Sequence, residues 1–160
     1  MNKILIALDY SPAAEKIAET GYALAKATGA EVVLLHVVAE PVYYSNLDYS
    51  PIMGYTGFST PDMLMLTDDT EIKKSSQEFL DQSKKHLGDE AITTMLGDGD
   101  CAEAILATAT DLKADIIVMG THSRTGLDKI LVGSIAEKVL RHSTIPMLII
   151  PANPADKLAD

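Results

Sequence analysis

The chain has 160 residues, 47% of them hydrophobic, one cysteine and a formal net charge of −10. A chain of this length reads as one domain that buries a core without disulfide or metal, and its lone Cys101 excludes an internal disulfide and fits a reducing compartment. The acidic balance argues against a general nucleic-acid or anionic-membrane binder, and no run approaches the roughly 18 apolar residues that a membrane helix needs.

The first strand is expected at residues 3–8. This apolar run is broken by Asp9, too early for a signal peptide, so the expected location is cytoplasmic. Ser11-Pro12 reads as an N-cap with proline at the first helical position. Ala14, Ile17, Ala18, Gly21, Leu24, Ala25 and Thr28 then follow at helical spacing, and Gly29 suits the residue after the helix. Residues 31–38 are nearly continuous in Val and Leu, as in a parallel strand buried on both faces. Residues 39–69 form a long insertion rich in Tyr, Met, Pro and Ser. Loops of that length are usually functional, so it reads as a lid or an intersubunit contact, with surface decoration as the alternative.

A second helix is expected at 70–87, with Ile72, Ser76, Phe79, Leu80, Ser83 and Leu87 on its buried face. A third strand follows at 91–96. Asp100 then caps a helix with Glu103 in a capping-box position, and Ala102, Ile105, Leu106, Ala109 and Leu112 face inward. A fourth strand at 114–119 runs into Gly120. A fourth helix spans 134–142, and the last strand runs from Pro146 to Ile150. Residues 152–160 read as a polar, flexible tail after a domain of residues 1–151.

The alternation of strands and helices implies an α/β fold, a parallel sheet with helices on both faces. Ligands of such sheets sit beyond the carboxyl ends of the strands, where strand order reverses. Three places qualify: after Leu8, after Val37 and after Met119. The stretch after Met119 is the most informative. An apolar strand exits at Gly120, and Gly133-Ser134 opens a helix, which makes an anion cradle of backbone N–H groups and helix dipole. Residues 121–142 hold four cations (Arg124, Lys129, Lys138, Arg141) against Asp128 and Glu137, a mildly basic region in an acidic chain. A nucleotide is the leading ligand.

Several residues keep a second reading. Asp9 either accepts from a ribose hydroxyl or serves the turn beside Ser11. Ser134 with Glu137 forms a capping box, so the serine can serve its own helix. Thr121, His122 and Ser123 are either phosphate donors or solvated loop residues. Asp98 and Asp100 read as turn and cap rather than metal ligands. Cys101 near a helix start reads as a packed thiol rather than one of lowered pKa, and His36 reads as a packed core residue. There is no Gly-x-x-x-x-Gly-Lys-Ser/Thr loop, Gly-x-Gly-x-x-Gly fingerprint, Gly-x-Ser-x-Gly elbow or zinc spacing. No residue reads as a general base beside a nucleophile, so the chain is expected to bind rather than to turn over.

These residues together resemble the universal stress protein family over nearly the whole chain. The resemblance is carried by KILIALDYS at 3–11, LLHVV at 34–38, DIIVMGTHSRTG at 115–126 and GSIAEKV at 133–139. It implies a five-stranded parallel sheet of order 3-2-1-4-5, a Rossmann-like three-layer sandwich, and a homodimer pairing the last strands. The nucleotide-binding branch of the family carries Gly, two residues, Gly, nine residues, Gly, then Ser or Thr. Gly120, Gly133 and Ser134 match, and Ser123 stands at the second glycine. The resemblance implies an ATP or AMP site in which Asp9 faces the ribose and Ala7 and Val37 the adenine. Met119, Gly120, His122, Ser123, Arg124, Gly133, Ser134 and Ile135 surround ribose and phosphates, with Mg²⁺ or Mn²⁺ accompanying the phosphates. The implied role is a dimeric stress sensor or regulator, in which nucleotide orders residues 124–132 and 39–69. The alternatives are an interaction protein without nucleotide, motivated by Ser123, a slow ATPase, and a flavin carrier on a similar sheet.

Overall fold

A computed structural model describes residues 1–38, 69–121 and 133–151 of the chain. Strands β1 (Lys3–Ala7), β2 (Glu31–Val38), β3 (Thr93–Asp98), β4 (Ile116–Gly120) and β5 (Met147–Ile150) form one parallel sheet in the order β3-β2-β1-β4-β5. Helices α1 (Ala14–Thr28), α2 (Asp69–Leu87), α3 (Cys101–Asp111) and α4 (Ser134–His142) connect them. The expected fold class and strand order are both observed. The 39–69 insertion falls outside the described residues except for Asp69, already the first residue of α2, and the tail from 152 lies outside them too.

Alternation along the strands divides the core in two. Ile4, Ile6, Val32, Leu34 and Val118 face α1 and α2, where they pack on Ile17, Ala18, Ile72, Phe79 and Leu80. Leu5, Val33, Leu35, Ile117 and Met119 face α3 and α4 and pack on Ala102, Ile105, Ala109, Ala136 and Val139. Side chains on both faces of the central strands are withdrawn from water, which is why β2 is an almost unbroken apolar run. Helix α1 lies close on the sheet because Gly21 has no side chain: a Cβ there would sit 2.6 Å from Ile6 Cδ1. Gly29 ends α1 at φ 70°, and its N–H bonds the Ala25 carbonyl, the left-handed cap that glycine adopts without strain.

Four local expectations are corrected. Ser11-Pro12 does not cap α1. The Ser11 N–H is taken by Asp9 Oδ1 at 3.0 Å, Ser11 O accepts from Ala14 N–H, and the helix starts two residues later with Ala13 as its cap residue. Strand β3 begins at Thr93 and continues through Gly97 and Asp98, because those residues pair with Val37 and Val38. Gly97 sits close to its neighbours there as strand rather than turn: a Cβ would lie 3.4 Å from Ala104 Cβ and 3.3 Å from Val37 Cγ2. Strand β1 stops at Ala7, although Leu8 N–H still bonds the Leu35 carbonyl. Strand β4 begins at Ile116 and includes Gly120.

Candidate functional site

The register places a notch at the carboxyl edge of the sheet. Ala7 is opposite Leu35, and β2 runs on through His36, Val37 and Val38. On the other side Ile6 is opposite Val118, and β4 runs on through Met119 and Gly120. The central strand therefore ends while both neighbours continue. This is also the point where strand order reverses, since β1 connects to β2 on one side while β4 lies on the other. The Leu35 carbonyl points at β1 to accept from Leu8. Backbone groups alternate sides along a strand, so the N–H and C=O of Val37 point into the space β1 has left.

The expected site residues that fall on described segments lie at or after the strand ends, or at the start of α4. Ala7 and Ile135 pack against the cluster that contains Val37 and Met119. Asp9, partly exposed, sits in the turn directly after β1, and Gly133 and Ser134 open α4. Gly120 ends β4, but its missing side chain serves the opposite face, where a Cβ would lie 2.3 Å from Ile17 Cδ1. His122, Ser123 and Arg124 lie outside the described residues. Thr121 is buried, with its N–H on the Ile150 carbonyl at 3.0 Å, so the solvated reading fails for it.

The two helix starts on this side differ. Asp100 Oδ1 accepts from the Glu103 N–H at 2.9 Å and from Lys138 Nζ at 3.1 Å. Both contacts hold the Asp100 carboxyl below its ordinary range, the backbone bond to Glu103 most strongly. The start of α3 thus carries its own carboxylate, as expected for a cap. At α4 the expected capping box does not form. Gly133 is the cap residue, its carbonyl accepts from Glu137 N–H, and among the described residues no side chain caps the helix. Ser134 is the first helical residue and is exposed, and Glu137 pairs with Arg141 at 2.6 Å instead. Among the described residues no side chain accepts from the first N–H groups of α4, a place that favours an anion.

The remaining candidates are occupied differently. Asp98 pairs with Lys73 at 3.7 Å, so it and Asp100 do not converge on a metal. Cys101 is half-buried, and its thiol is pushed above the usual range by burial first, then by the charges of Asp100 and Asp9. His36 is buried, as expected, but it also donates Nδ1–H to the Leu8 carbonyl at 2.9 Å. Burial pushes its pKa down, opposed by the Leu8 contact and the charge of Asp9. The sequence pattern marked His36 only as part of an apolar strand; its aim at the end of β1 follows from strand register. Away from the notch, His86 Nε2 meets Glu15 at 3.1 Å and Glu19 at 2.8 Å, a polar link between α1 and α2 whose members are too far apart in sequence to read as a motif. Among the described residues no helix is long and apolar enough to cross a membrane.

Known proteins with this architecture share its sequence as well. A sequence model described as the universal stress protein family matches residues 1–151. Universal stress protein MJ0531 of Methanocaldococcus jannaschii is 34% identical over 151 residues, covering 92% of this chain and 81% of its own length. The solved structure of MJ0577, from the same organism, superposes with a TM-score of 0.69 at 27% identity, over 95% of this chain and 96% of that one. A universal stress protein solved in complex with cAMP shares the fold at a TM-score of 0.59 and 21% identity, over 94% and 96% of the two chains. With strand order, signature residues and whole-length similarity in agreement, the chain belongs to the universal stress protein family.

Proposed function

We propose that this protein binds an adenine nucleotide, ATP or AMP, in the notch over β1 and acts as a dimeric sensor or regulator in the stress response. The observation that carries the reading is the shortened central strand, supported by a helix start that no side chain of the described residues caps. Ala7, Val37, Met119 and Ile135 belong to one apolar cluster, and in this reading a base lies against them and the phosphates at the start of α4. That combination suits a flat base joined to an anionic tail. The Val37 backbone presents a donor and an acceptor to the edge of a base, and Asp9 reaches a ribose hydroxyl from the rim. Gly133, Ser134 and their neighbours receive phosphate, together with His122, Ser123 and Arg124 and the end of β4 at Gly120. Mg²⁺ or Mn²⁺ would accompany the phosphates. The cAMP complex of a family member is consistent with this ligand class; at its low identity it shares the fold alone.

Dimerisation is assigned to β5. It is an edge strand of Met147, Leu148, Ile149 and Ile150, the first three only partly covered. An apolar edge of this kind invites pairing with a second copy. Titration calorimetry with ATP and with AMP, each with and without Mg²⁺, tests the nucleotide reading. Saturable heat with a thermal shift is expected. Neither heat nor shift at millimolar nucleotide overturns it and favours the interaction-protein alternative.

A further inference from the structure

The end of β1 is held by an unusual contact. If the β1–β2 ladder continued, the Leu8 carbonyl would accept from the next inward backbone N–H of β2, that of Val37. The recorded bond comes instead from the side chain of His36, whose Nδ1–H donates to Leu8 O at 2.9 Å. Leu8 is thereby gripped through both of its backbone groups, its N–H by the Leu35 carbonyl at 2.8 Å and its carbonyl by His36. The residue after it is Asp9. The imidazole is itself fixed by packing. The Tyr10 ring lies 4.6 Å from it at 55°, the Phe79 ring lies 5.7 Å away at 72°, and Tyr10 OH bonds Ser76 Oγ of α2 at 2.9 Å. The residues on both sides of Asp9, Leu8 and Tyr10, are thus tied to the same buried histidine, on the sheet face opposite the notch wall. With Nδ1–H donating, the neutral ring leaves Nε2 as a bare acceptor, and that buried atom has no partner among the described residues. A group that costs desolvation and leaves one nitrogen unsatisfied is poor filler for an apolar strand. Leucine would fill the same space without that penalty.

We infer that His36 is a positioning residue for the nucleotide site: without touching ligand, it fixes the turn that aims Asp9 at the ribose. The inference rests on the nucleotide reading above. A ribose hydroxyl donating to a carboxylate makes a directional, charge-assisted bond, which is lost when the carboxylate drifts.

The test compares ATP with 2′,3′-dideoxy-ATP, which lacks the ribose hydroxyls, on the wild type, Asp9→Ala, His36→Leu and the double variant. Wild type is expected to prefer ATP by about tenfold, the scale of one charge-assisted hydrogen bond. His36→Leu should reduce that preference to near unity, Asp9→Ala should do the same, and the double variant should lose nothing more. A merely structural histidine would weaken both ligands equally and leave the preference intact, and that result in folded His36→Leu overturns the inference. So does a wild type that binds both ligands equally well, whereas a wild type that binds neither removes the nucleotide reading itself. Should His36→Leu fail to fold, imidazole ¹⁵N spectra of the wild type decide. His36 signals of the Nδ1–H tautomer that shift with ATP and not with the dideoxy ligand support the inference, and signals unmoved by ATP overturn it.

Discussion

Gly120 separates two reasons for a glycine, packing and close approach to a phosphate, and a pair of substitutions tells them apart. An alanine Cβ at 120 would lie 2.3 Å from Ile17 Cδ1, 3.2 Å from Ile17 Cγ1 and 3.6 Å from the Ile150 carbonyl. Gly120 is not among the positive-φ glycines, so the backbone itself tolerates alanine. Ile17 is 2% exposed, so its Cδ1, the far end of a flexible side chain, can give way only against buried neighbours. Overpacking a filled core costs about 1–3 kcal/mol, and so short a contact belongs at the upper end. Ile17→Val deletes the Cδ1 atom and alone costs about 1 kcal/mol. Were the two changes independent, Gly120→Ala/Ile17→Val would lose about 4 kcal/mol. Because valine removes the clashing atom, the double variant should lose only about 1–1.5 kcal/mol, a favourable coupling of roughly 2–3 kcal/mol. Urea unfolding followed by far-UV circular dichroism, extrapolated linearly to water, measures all four proteins. Additivity within about 0.5 kcal/mol would refute the packing argument, as would a Gly120→Ala protein of wild-type stability. Nucleotide titration of the refolded double variant then isolates whatever Gly120 does for ligand.

Further predictions follow from the two helix starts and the buried histidine. Ser134→Ala should leave stability within about 0.5 kcal/mol of wild type, since an exposed residue that caps nothing is being trimmed, yet weaken ATP binding several-fold in calorimetry; a large stability loss would restore the capping box. Asp100→Ala should destabilise by about 1 kcal/mol through the lost cap, with little added from the exposed Lys138 pair; an unchanged melting temperature would contradict it. Folded His36 has its pKa lowered from 6.5, so its neutral form stabilises the fold fully above that value. That stability is lost as pH falls below 6.5 toward the folded pKa, because the unfolded chain then takes up a proton that the folded one refuses, with a slope of at most about 1.4 kcal/mol per pH unit. Asp9 and Tyr10 from the β1–α1 turn and Ser76 and Phe79 from α2 are the neighbours that set this environment. Urea midpoints across pH 5–8 for wild type and His36→Leu test the sign: the variant should lack this acid-side loss, and parallel curves would count against it.

How much was readable before the fold is uneven, for physical reasons. Periodicity and apolar runs are local, and they located the five strands and four helices of the described residues, with β2 and α4 correct to the residue. The Asp100 cap and the Gly29 terminus were legible because each depends only on neighbours within a turn of chain. Ser134 misled by one position: the same four residues make a box or leave the helix open according to whether Gly133 or Ser134 supplies the first helical carbonyl. Strand β3 slipped by two residues because Gly97-Asp98 has turn chemistry, and pairing with Val37 and Val38 overrides it.

The sequence by itself determined the fold class, the strands and helices, and the residues that carry the family resemblance, since these follow from side-chain periodicity and chemistry at short range. Tertiary structure decided where those residues sit and what they pack against. Parallel register ends β1 before its neighbours and so opens the notch. Packing of α1 brings Ile17 against Gly120, where a Cβ would force that side chain to shift. The crossing of β2 beside Leu8 turns His36 from a buried strand residue into the clamp behind Asp9. Each of these depends on atoms brought together across tens of residues, and no local pattern encodes that distance.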